Sequence, residues 1–512
     1  MRRRSGILVP LFSVPSSRSW GIGEIGDIPV LAEWLRTAGQ RILQILPINE
    51  MPPGERSPYS ALSAMAIDPQ FISLGQLEDF TAAGGEAQLN PEQRRRLDDA
   101  RAARSIDYPA VRDLKQAALR QSFARFKGEE WTAGTARAKA LRRYIEDQAD
   151  WLAEYALFRA LHARYDERSW LDWPDPLRQR APDALAAARK ELADDILYRQ
   201  YVQWVAHEQW ADAREQSDGV TLFGDLPFMV SGDSADVWAR QDEFDLEASV
   251  GVPPDAFSET GQDWQLPVYR WEVFAERDFD WLRARARRNA VLFDGYRVDH
   301  LVGFYRTYFR PNSGGPPQFT PPDQEAQTQL GERVLQVFRE PGTEIIAEDL
   351  GVVPDFVRAS LARLAVPGYK VLRWERQWHT EGRPFKDPID YPACAVATSG
   401  THDTEPMVIW LASAPPEEQE ALRAIPSVRA RLEEGAAIGD ALIESLVASG
   451  AELLILPIQD VFGWQDRINQ PATIGDANWT WRLPWPVDRM PAEPEARQVA
   501  ARLREWTQRY GR

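Results

Sequence analysis

The sequence has few of the residues and runs that would allow cross-linking, thiol-based metal binding or membrane insertion. Among 512 residues there is one cysteine, Cys394, which excludes an intrachain disulfide framework and a multi-cysteine zinc site. No apolar stretch approaches the roughly 20 residues that a membrane helix needs. A single cysteine is typical of a reducing compartment, so the sequence predicts a cytoplasmic protein that does not contact membranes.

An excess of basic residues is also missing. The chain has 60 Lys and Arg against 77 Asp and Glu, a formal net charge of −17, which argues against a nucleic-acid partner. Neither G-x-x-x-x-G-K-[ST] nor G-x-S-x-G occurs. "GIGEIG" (21–26) has glycines at dinucleotide-binding spacing, but the preceding "SVPSSRSW" does not have the character of a strand, so that context is missing. We therefore expect no cofactor.

The N-terminal segment "MRRRSGILVPLFSVPSS" has basic residues before an apolar stretch, as a signal peptide does. Pro10 interrupts the apolar run, and no small-x-small cleavage site follows. The sequence therefore favours a first barrel strand or a segment leading into the barrel.

Buried apolar runs that end in polar residues recur along the chain and alternate with helical sequence. The first is "RILQILPI" (41–48), and the others are "VTLFGDLPF", "AVLFDGYRVDH", "TEIIAEDL", "GYKVLRW", "ACAVATSGTHD" and "ELLILPIQD". This alternation predicts a parallel sheet covered by helices. Seven such strands are close to the eight of a closed barrel, whose functional residues lie at the carboxyl ends of the strands.

Helical patterns dominate the region between the first runs and the later ones. Residues 90–218 are rich in Ala, Arg, Glu and Leu and close with one long helix, "ADDILYRQYVQWVAHEQWADAREQ". An earlier helix is capped by Asp27 and stops at Gly39. We predict a first part of the barrel over 1–75, a helical insertion over 76–218, and the rest of the barrel over 219–512. A further insertion around 230–285 is expected over the active site.

Acidic residues collect where the predicted strands end, at Asp225, Asp299, Glu348, Asp349, Asp403 and Asp460. In "DGYRVDH", Arg297 and Asp299 are two positions apart and share one face of a strand. Paired carboxylates at one barrel mouth suit glycoside chemistry, in which one attacks the anomeric carbon and the other protonates the leaving oxygen. Adjacent Glu348 and Asp349 face opposite ways, so only one enters the site.

A metal site is the competing interpretation of carboxylates at successive strand ends. Arg297 argues against it, because a guanidinium beside Asp299 competes with a cation and would instead hold that carboxylate ionised. Histidine is scarce, with His162, His207, His300, His379 and His402 only. His300 and His402 abut proposed site aspartates, whereas His162 and His207 lie in helical sequence and are expected to be structural.

Several motifs, in order and spacing, resemble glycoside hydrolase family 77, the 4-α-glucanotransferases. They are "SGIL", "WGIGEIG", "QILPI", "SPYSALSA", "GDLPFMVSGDSADVW", "GVPPDAFSETGQDW", "GYRVDH", "AEDLG", "SGTHD" and "NWTWRLP". The resemblance covers nearly the whole chain. It implies a (β/α)8 TIM barrel, an α/β fold with inserted, largely helical subdomains and no C-terminal β-sandwich.

The resemblance also implies residue roles. Asp299 matches the nucleophile, Glu348 the general acid/base and Asp403 a carboxylate that holds sugar hydroxyls in the transition state. Substrate-binding and supporting residues would be Tyr59, Asp225, Trp264, Arg297 and His402. No metal is implied.

The implied activity is transfer of α-1,4-glucan segments between maltodextrins by a retaining double displacement through a glucosyl-enzyme. Its partners would be an α-1,4-glucan donor and acceptor, and the protein would be a monomer or weak homodimer. An α-glucan hydrolase of the same superfamily is the alternative; a non-catalytic binder and a metal-dependent barrel lyase rank below it. Leu301-Val302, Thr404 and the 51–58 loop, which lacks the usual Gly-Tyr-Gly, depart from the family pattern and bear on acceptor preference.

Overall fold

The structure, a computed structural model, describes residues 3–254, 261–471, 473 and 475–512. Residues 255–260, inside the segment "GVPPDAFSETGQDW", lie outside that range. The strands of the described residues are β1 (Arg4–Leu8), β2 (Ile42–Gln44), β3 (Thr221–Leu226), β4 (Phe244–Val252), β5 (Gln262–Tyr269), β6 (Gly295–Val298), β7 (Thr307–Pro311), β8 (Gln318–Thr320), β9 (Glu344–Ala347), β10 (Gly368–Val371), β11 (Ala395–Thr398) and β12 (Leu453–Pro457).

Eight of these strands form a closed parallel barrel. Around the ring the order is β1, β2, β3, β6, β9, β10, β11 and β12, and pairing of Arg4 with Leu453 between β1 and β12 closes it. The predicted (β/α)8 barrel is confirmed. Each of the seven apolar runs supplies one strand, and the eighth strand, β1, comes from the N-terminal "RSGIL".

Helices cover the barrel and fill the long connection between β2 and β3. The α-helices within the described residues are α1 (Ile28–Thr37), α2 (Glu78–Ala82), α3 (Pro91–Ala102), α4 (Tyr108–Phe126), α5 (Ala136–Asp147), α6 (Ala149–Arg164), α7 (Asp175–Arg178), α8 (Pro182–Glu191), α9 (Ala193–Gln216), α10 (Ala235–Ala239), α11 (Trp271–Glu276), α12 (Asp280–Leu292), α13 (Val302–Tyr305), α14 (Gln324–Arg339), α15 (Asp355–Arg363), α16 (Met407–Ser413), α17 (Pro416–Ala424), α18 (Pro426–Glu433), α19 (Ile438–Val447), α20 (Ile458–Phe462) and α21 (Pro494–Arg509). None of the helices in these ranges is both long and apolar enough to traverse a bilayer.

The long connection contains α2–α9, and α9 spans the whole of the predicted closing helix. The first predicted helix is α1, with Asp27 at its N-cap position and Gly39 in a left-handed conformation just beyond its end (φ +72°). The carboxylate of Asp27 does not cap α1, however. It accepts hydrogen bonds from the Ser19 hydroxyl and the Glu24 backbone N–H and so fixes the preceding turn.

The apolar run before β6 is helical rather than extended, contrary to the sequence interpretation. Val291 and Leu292 complete α12, and the Leu292 carbonyl accepts a hydrogen bond from the Trp210 indole. The strand begins only at Gly295. A Cβ at Gly224 would lie 2.5 Å from the Phe293 ring, so this glycine makes room for the aromatic side chain that joins α12 to β6.

The second insertion is a sheet, whereas helical subdomains were expected. Strands β5, β4, β7 and β8 form a four-stranded antiparallel sheet, and two of them lie beyond β6 in sequence. The sequence interpretation identified none of the four strands of this sheet. The sheet brings Trp264 of β5 next to the first residues after β6, as described below.

Candidate active site

The carboxyl ends of β3, β6, β9 and β11 bring the sequence-predicted acidic residues together. Asp225 lies within β3, Asp299 follows β6 and Glu348 follows β9. The backbone N–H of Asp299 donates to Leu226, and that of Glu348 donates to Val298, so the ladder continues past the strand ends. Because both positions are held by neighbouring strands, their carboxylates are fixed on rigid backbone.

Arg297 is the centre of this cluster. Its Nη1 contacts both oxygens of Asp225 at 2.8 and 2.7 Å, and its Nη2 lies 2.7 Å from Asp299 Oδ1 and 4.0 Å from Glu348 Oε2. The shared strand face predicted for Arg297 and Asp299 is confirmed. The guanidinium is 6% exposed and Asp225 is fully buried, whereas Asp299 remains 28% exposed toward the mouth. The buried Arg297 guanidinium therefore compensates the charge of the buried Asp225 carboxylate, while the Asp299 carboxylate stays accessible.

Glu348 sits in a different electrostatic setting. Its side chain is 12% exposed, and its two oxygens accept backbone N–H groups from His300 (2.7 Å) and Leu350 (3.1 Å). Burial, followed by the negative charge of Asp299, raises the pKa of Glu348 to about 7 against the opposing effect of Arg297. A carboxyl group with that pKa can give up or take a proton near neutrality.

Asp403 lies on the other side of the mouth, in the turn after β11. Its Oδ1 accepts the Asn469 amide at 2.6 Å, and its Oδ2 lies 3.3 Å from His402 Nε2. Burial opposes ionisation here, but His402 and the Asn469 hydrogen bond lower the pKa of Asp403 to about 2. The side chain is 41% exposed, so an ionised carboxylate faces the mouth at neutral pH.

Tyr59 connects the two sides. Its hydroxyl donates to Asp225 at 2.9 Å and lies 3.1 Å from His402 Nε2. Its ring stacks on His402 with centroids 5.6 Å apart and touches Trp479 at 5.9 Å. The tyrosine is thus part of the polar network, and the suggestion that it also contacts a bound sugar stays a prediction.

Trp264 approaches the site from the antiparallel sheet. Its ring meets the His300 ring edge-on at 5.0 Å and Phe228 at 5.9 Å. His300 has a positive φ of 42°, and its N–H is the donor to Glu348. The sheet therefore supports the turn that orients Glu348.

Two of the acidic residues at strand ends do not enter the mouth. Asp349 accepts the Tyr369 N–H at 2.7 Å and pairs with Arg358 at 3.0 Å, which confirms that it faces away from Glu348. Asp460 lies in the first turn of α20 and accepts hydrogen bonds from the Ser399 hydroxyl and the Met407 backbone N–H. Both side chains are buried and hydrogen-bonded within the protein.

Of the two histidines expected to be structural, His162 is buried and His207 is partly buried. His162 contacts Glu167 at 2.7 Å, and His207 packs against Tyr144. His379 is exposed. Of the five, His300 and His402 alone touch the carboxylate cluster among the described residues.

The departures from the family pattern have local structural explanations. Thr404 Oγ1 accepts the Thr401 N–H and donates to the Thr401 carbonyl, so its side chain closes the turn that carries Asp403. A Cβ at Gly400 would lie 2.3 Å from that hydroxyl, so the glycine is required there. Leu301 is fully buried.

The 51–58 loop, which follows β2, lies over one side of the mouth. Arg112 of α4 donates to the carbonyls of Met51 and Pro52, which ties the loop to the helical insertion. Arg56 pairs with Asp476 at 3.0 Å. Between this loop and the segment around Asn469 and Trp479 is an open cavity of about 670 Å³. This volume is large enough to hold a short stretch of a carbohydrate chain.

Sequence reasoning missed three residues that shape the site. Asn469 holds Asp403, Arg467 donates to the Asp403 carbonyl, and Trp479 packs on Tyr59. Asn469 and Trp479 lie in "NQPATIGDANW", which departs from the family pattern at Ala472, a position outside the described residues, and Trp479 also belongs to the matching motif "NWTWRLP". The positions of these residues in the site depend on the course of a loop, which local sequence patterns do not predict.

The geometry suits displacement at an anomeric carbon. Asp299 and Glu348 both lie within 4.0 Å of one Arg297 nitrogen. This close grouping is compatible with the separation of about 5–5.5 Å in retaining glycosidases. An exposed carboxylate paired with arginine, beside a carboxyl group of raised pKa, is an arrangement that can provide a nucleophile and a proton donor.

Comparison with known proteins points the same way. The profile of glycoside hydrolase family 77, described as 4-alpha-glucanotransferase, matches residues 9–488. A 4-alpha-glucanotransferase from Thermus thermophilus is 33% identical over 94% of this chain and 95% of its own. One from Synechocystis is 34% identical, covering 94% of each chain. The structure of Streptococcus agalactiae amylomaltase in complex with acarbose superposes with a TM-score of 0.84 at 26% identity, over 100% of this chain and 99% of that one.

Proposed function

Because the chain belongs to the 4-α-glucanotransferase family, we propose that Asp299, Glu348 and Asp403 carry out glucan transfer at the mouth described above. The enzyme moves α-1,4-glucan segments between maltodextrins, and this activity takes precedence over the hydrolase alternative. The observation that carries the residue assignment is the Arg297 guanidinium, which pairs with Asp299 while lying 4.0 Å from Glu348.

In the first step Asp299 attacks the anomeric carbon of the donor. The C–O bond to the departing glucan breaks, and Glu348 gives its proton to the leaving oxygen, so the leaving group departs as a neutral alcohol. The product is a β-glucosyl ester of Asp299. The ion pair with Arg297 at 2.7 Å supports this role, because the guanidinium holds the carboxylate in place at the mouth.

In the second step Glu348 acts as the base. It accepts the proton of the acceptor's 4-hydroxyl as that oxygen attacks the same anomeric carbon, and the Asp299 carboxylate is released. Two inversions restore the α configuration. The pKa of about 7 lets one carboxyl group serve as acid and then as base.

Asp403 accepts hydrogen bonds from sugar hydroxyls. Its carboxylate stays charged at neutral pH, and His402 and Asn469 fix its orientation. A carboxylate with a fixed orientation favours binding of sugar rings whose hydroxyls are placed to donate hydrogen bonds to it. Tyr59, Asp225, Arg297 and His402 form the network behind it.

The glucan chain runs through the cavity beside the 51–58 loop, with Tyr59 and Trp264 at its inner end. Support comes from the cavity volume of about 670 Å³ and from the aromatic rings at the mouth. Both donor and acceptor are α-1,4-glucans, and the enzyme works as a monomer or weak homodimer in the cytoplasm.

The decisive test is to trap the intermediate. Glu348→Gln should still be glucosylated by α-glucosyl fluoride, because fluoride leaves with little protonation, but deglucosylation should be slow. Mass spectrometry of peptides should then find a hexosyl group on Asp299. The control is Glu348→Gln with maltotriose, which should form little adduct. A hexosyl group on another residue, or equal loss of rate with both donors, contradicts the assignment.

A further inference from the structure

A second charged cavity lies at the opposite, amino end of the barrel. It has a volume of about 350 Å³, and its lining includes five arginines but only two carboxylates, Asp218 and Asp294. The arginines are Arg3, Arg4, Arg41, Arg214 and Arg512. In a chain of net charge −17 such a grouping runs against the overall charge. We call it the amino-end cavity.

Two of the five arginines have carboxylate partners. Arg4 pairs with Glu344 at 2.6 Å, and Arg214 pairs with Asp294 at 2.5 Å. The second Asp294 oxygen accepts the Leu222 N–H. These pairs neutralise part of the charge and fix the walls of the cavity at the beginnings of β1, β3 and β6.

Arg3 and Arg512 have polar but uncharged partners. Arg3 donates to the Tyr510 and Ser449 carbonyls, and Arg512 donates to carbonyls of Val447, Ser449 and Ala451. These contacts cap the carboxyl end of α19, a purely structural role. They leave both positive charges without a carboxylate among the described residues. Burial and the nearby charge of Arg3 lower the pKa of Arg512 to about 9, so the guanidinium is charged at neutral pH in an unfavourable setting.

Arg41 directly precedes β2. Within residues 3–254, 261–471, 473 and 475–512 its side chain makes neither a hydrogen bond nor an ion pair with another residue. The guanidinium lies beside Gly219, where even an added Cβ would be in ordinary contact with Arg41 Nη1 at 3.7 Å. Its donors are available to a ligand.

From this arrangement we infer that the amino-end cavity binds a small phosphate-bearing anion through Arg41, with Arg3 and Arg512 supplying a positive field. Guanidinium groups match phosphate oxygens in pairs of parallel hydrogen bonds. A volume of about 350 Å³ falls within the range of small-molecule sites and admits a sugar phosphate as well as free phosphate. The site is distinct from the glucan-transfer mouth, which lies at the other end of the strands.

The test is isothermal titration of the full-length protein with inorganic phosphate and with glucose 1-phosphate, at constant ionic strength. Wild type should show saturable one-site binding. Arg41→Glu and Arg41→Gln should weaken it at least about tenfold, as expected for loss of a charge-assisted hydrogen bond. The matched control is Arg95→Glu, which makes the same charge change at an exposed position on α3 away from the cavity, and should bind like wild type.

The comparison between the two anions identifies the source of the phosphate group. Tighter binding of glucose 1-phosphate than of phosphate indicates a phosphorylated sugar, whereas equal binding indicates the phosphate group alone. The titration with unphosphorylated glucose should give the same result for wild type and for the Arg41 variants. Absence of saturable binding of both anions, or unchanged binding in both Arg41 variants, overturns the inference. Retained transfer from maltotriose verifies that the variants fold.

Discussion

At the carboxyl end of the barrel the Arg297 guanidinium is shared among three carboxylates, whereas at the amino end five guanidinium groups face two carboxylates. The same eight strands support both arrangements. At the catalytic end the cation is buried and the carboxylates reach the mouth. At the amino end Asp294 is engaged in an ion pair, whereas Arg41 and the exposed Asp218 make none among the described residues. The sign of the charge in excess at each end therefore indicates which sign of charge the ligand or transition state carries.

The two ends of β6 provide the strongest contrast, because an aspartate flanks each of them. Asp299→Ala should lower disproportionation of maltotriose by several orders of magnitude, since no other group can attack. Asp294→Asn should keep near wild-type activity and lose only about 1 kcal/mol of stability, because its pair with Arg214 is partly exposed. Glucose release and urea unfolding measure the two effects. More than a few per cent of activity in Asp299→Ala would mean that another residue attacks.

The pH dependence sharpens the contrast within the catalytic end. Above pH 7, kcat/KM should fall about tenfold per pH unit, because Glu348 loses the proton that it must donate. Stability provides an independent check. The folded pKa of Glu348 is raised above its usual value of 4.5, so the stability associated with the bound proton is present below pH 4.5 and is lost as the pH rises through 7.

Glu348→Gln lacks that titration. Its stability relative to wild type should increase from pH 4.5 to 7 and then level off, as measured by urea unfolding at a series of pH values. A constant difference across that range would show that Glu348 does not have a raised pKa.

The smallest effect is expected at the 51–58 loop, at the rim of the catalytic end. The loop has Pro-Gly-Glu-Arg where the resemblance to the family leads us to expect Gly-Tyr-Gly, so the aromatic surface expected there is missing. Grafting Gly-Tyr-Gly should raise kcat/KM for long amylose by about two- to tenfold, since a stacked ring contributes roughly 0.5–1.5 kcal/mol. Turnover of maltotriose should not change. A steep rise with chain length in wild type, and no gain from the graft, would contradict this.

The sequence predicted those features that neighbouring residues determine, namely barrel strands and the faces of a strand. The buried apolar runs located seven barrel strands, and the two-residue spacing of Arg297 and Asp299 predicted their shared face. The helical end of the run before β6 and the four strands of the antiparallel sheet were missed, because packing decided their conformation. The boundaries at 76–218 stay a prediction.

The remaining site residues come from segments far apart in sequence. Asn469 reaches Asp403 through a loop without regular structure. The arginines of the amino-end cavity come from four separate places in the chain, with Arg3 and Arg4 adjacent, and none is part of a recognisable motif. Their proximity follows from closure of the barrel, which sequence spacing does not encode.

Closure of the barrel between β1 and β12 also has a consequence for synthesis on the ribosome. Domains made early usually fold before the rest of the chain appears. Here β1 is made first, yet one of its two neighbours, β12, emerges only after residue 453. Likewise, Tyr59 can contact His402 only after His402 has been synthesised, and Asp403 can accept its hydrogen bond only after Asn469 has been synthesised. A nascent chain therefore has no complete glucan site until most of it has been translated, and catalytic activity begins only with the nearly finished polypeptide.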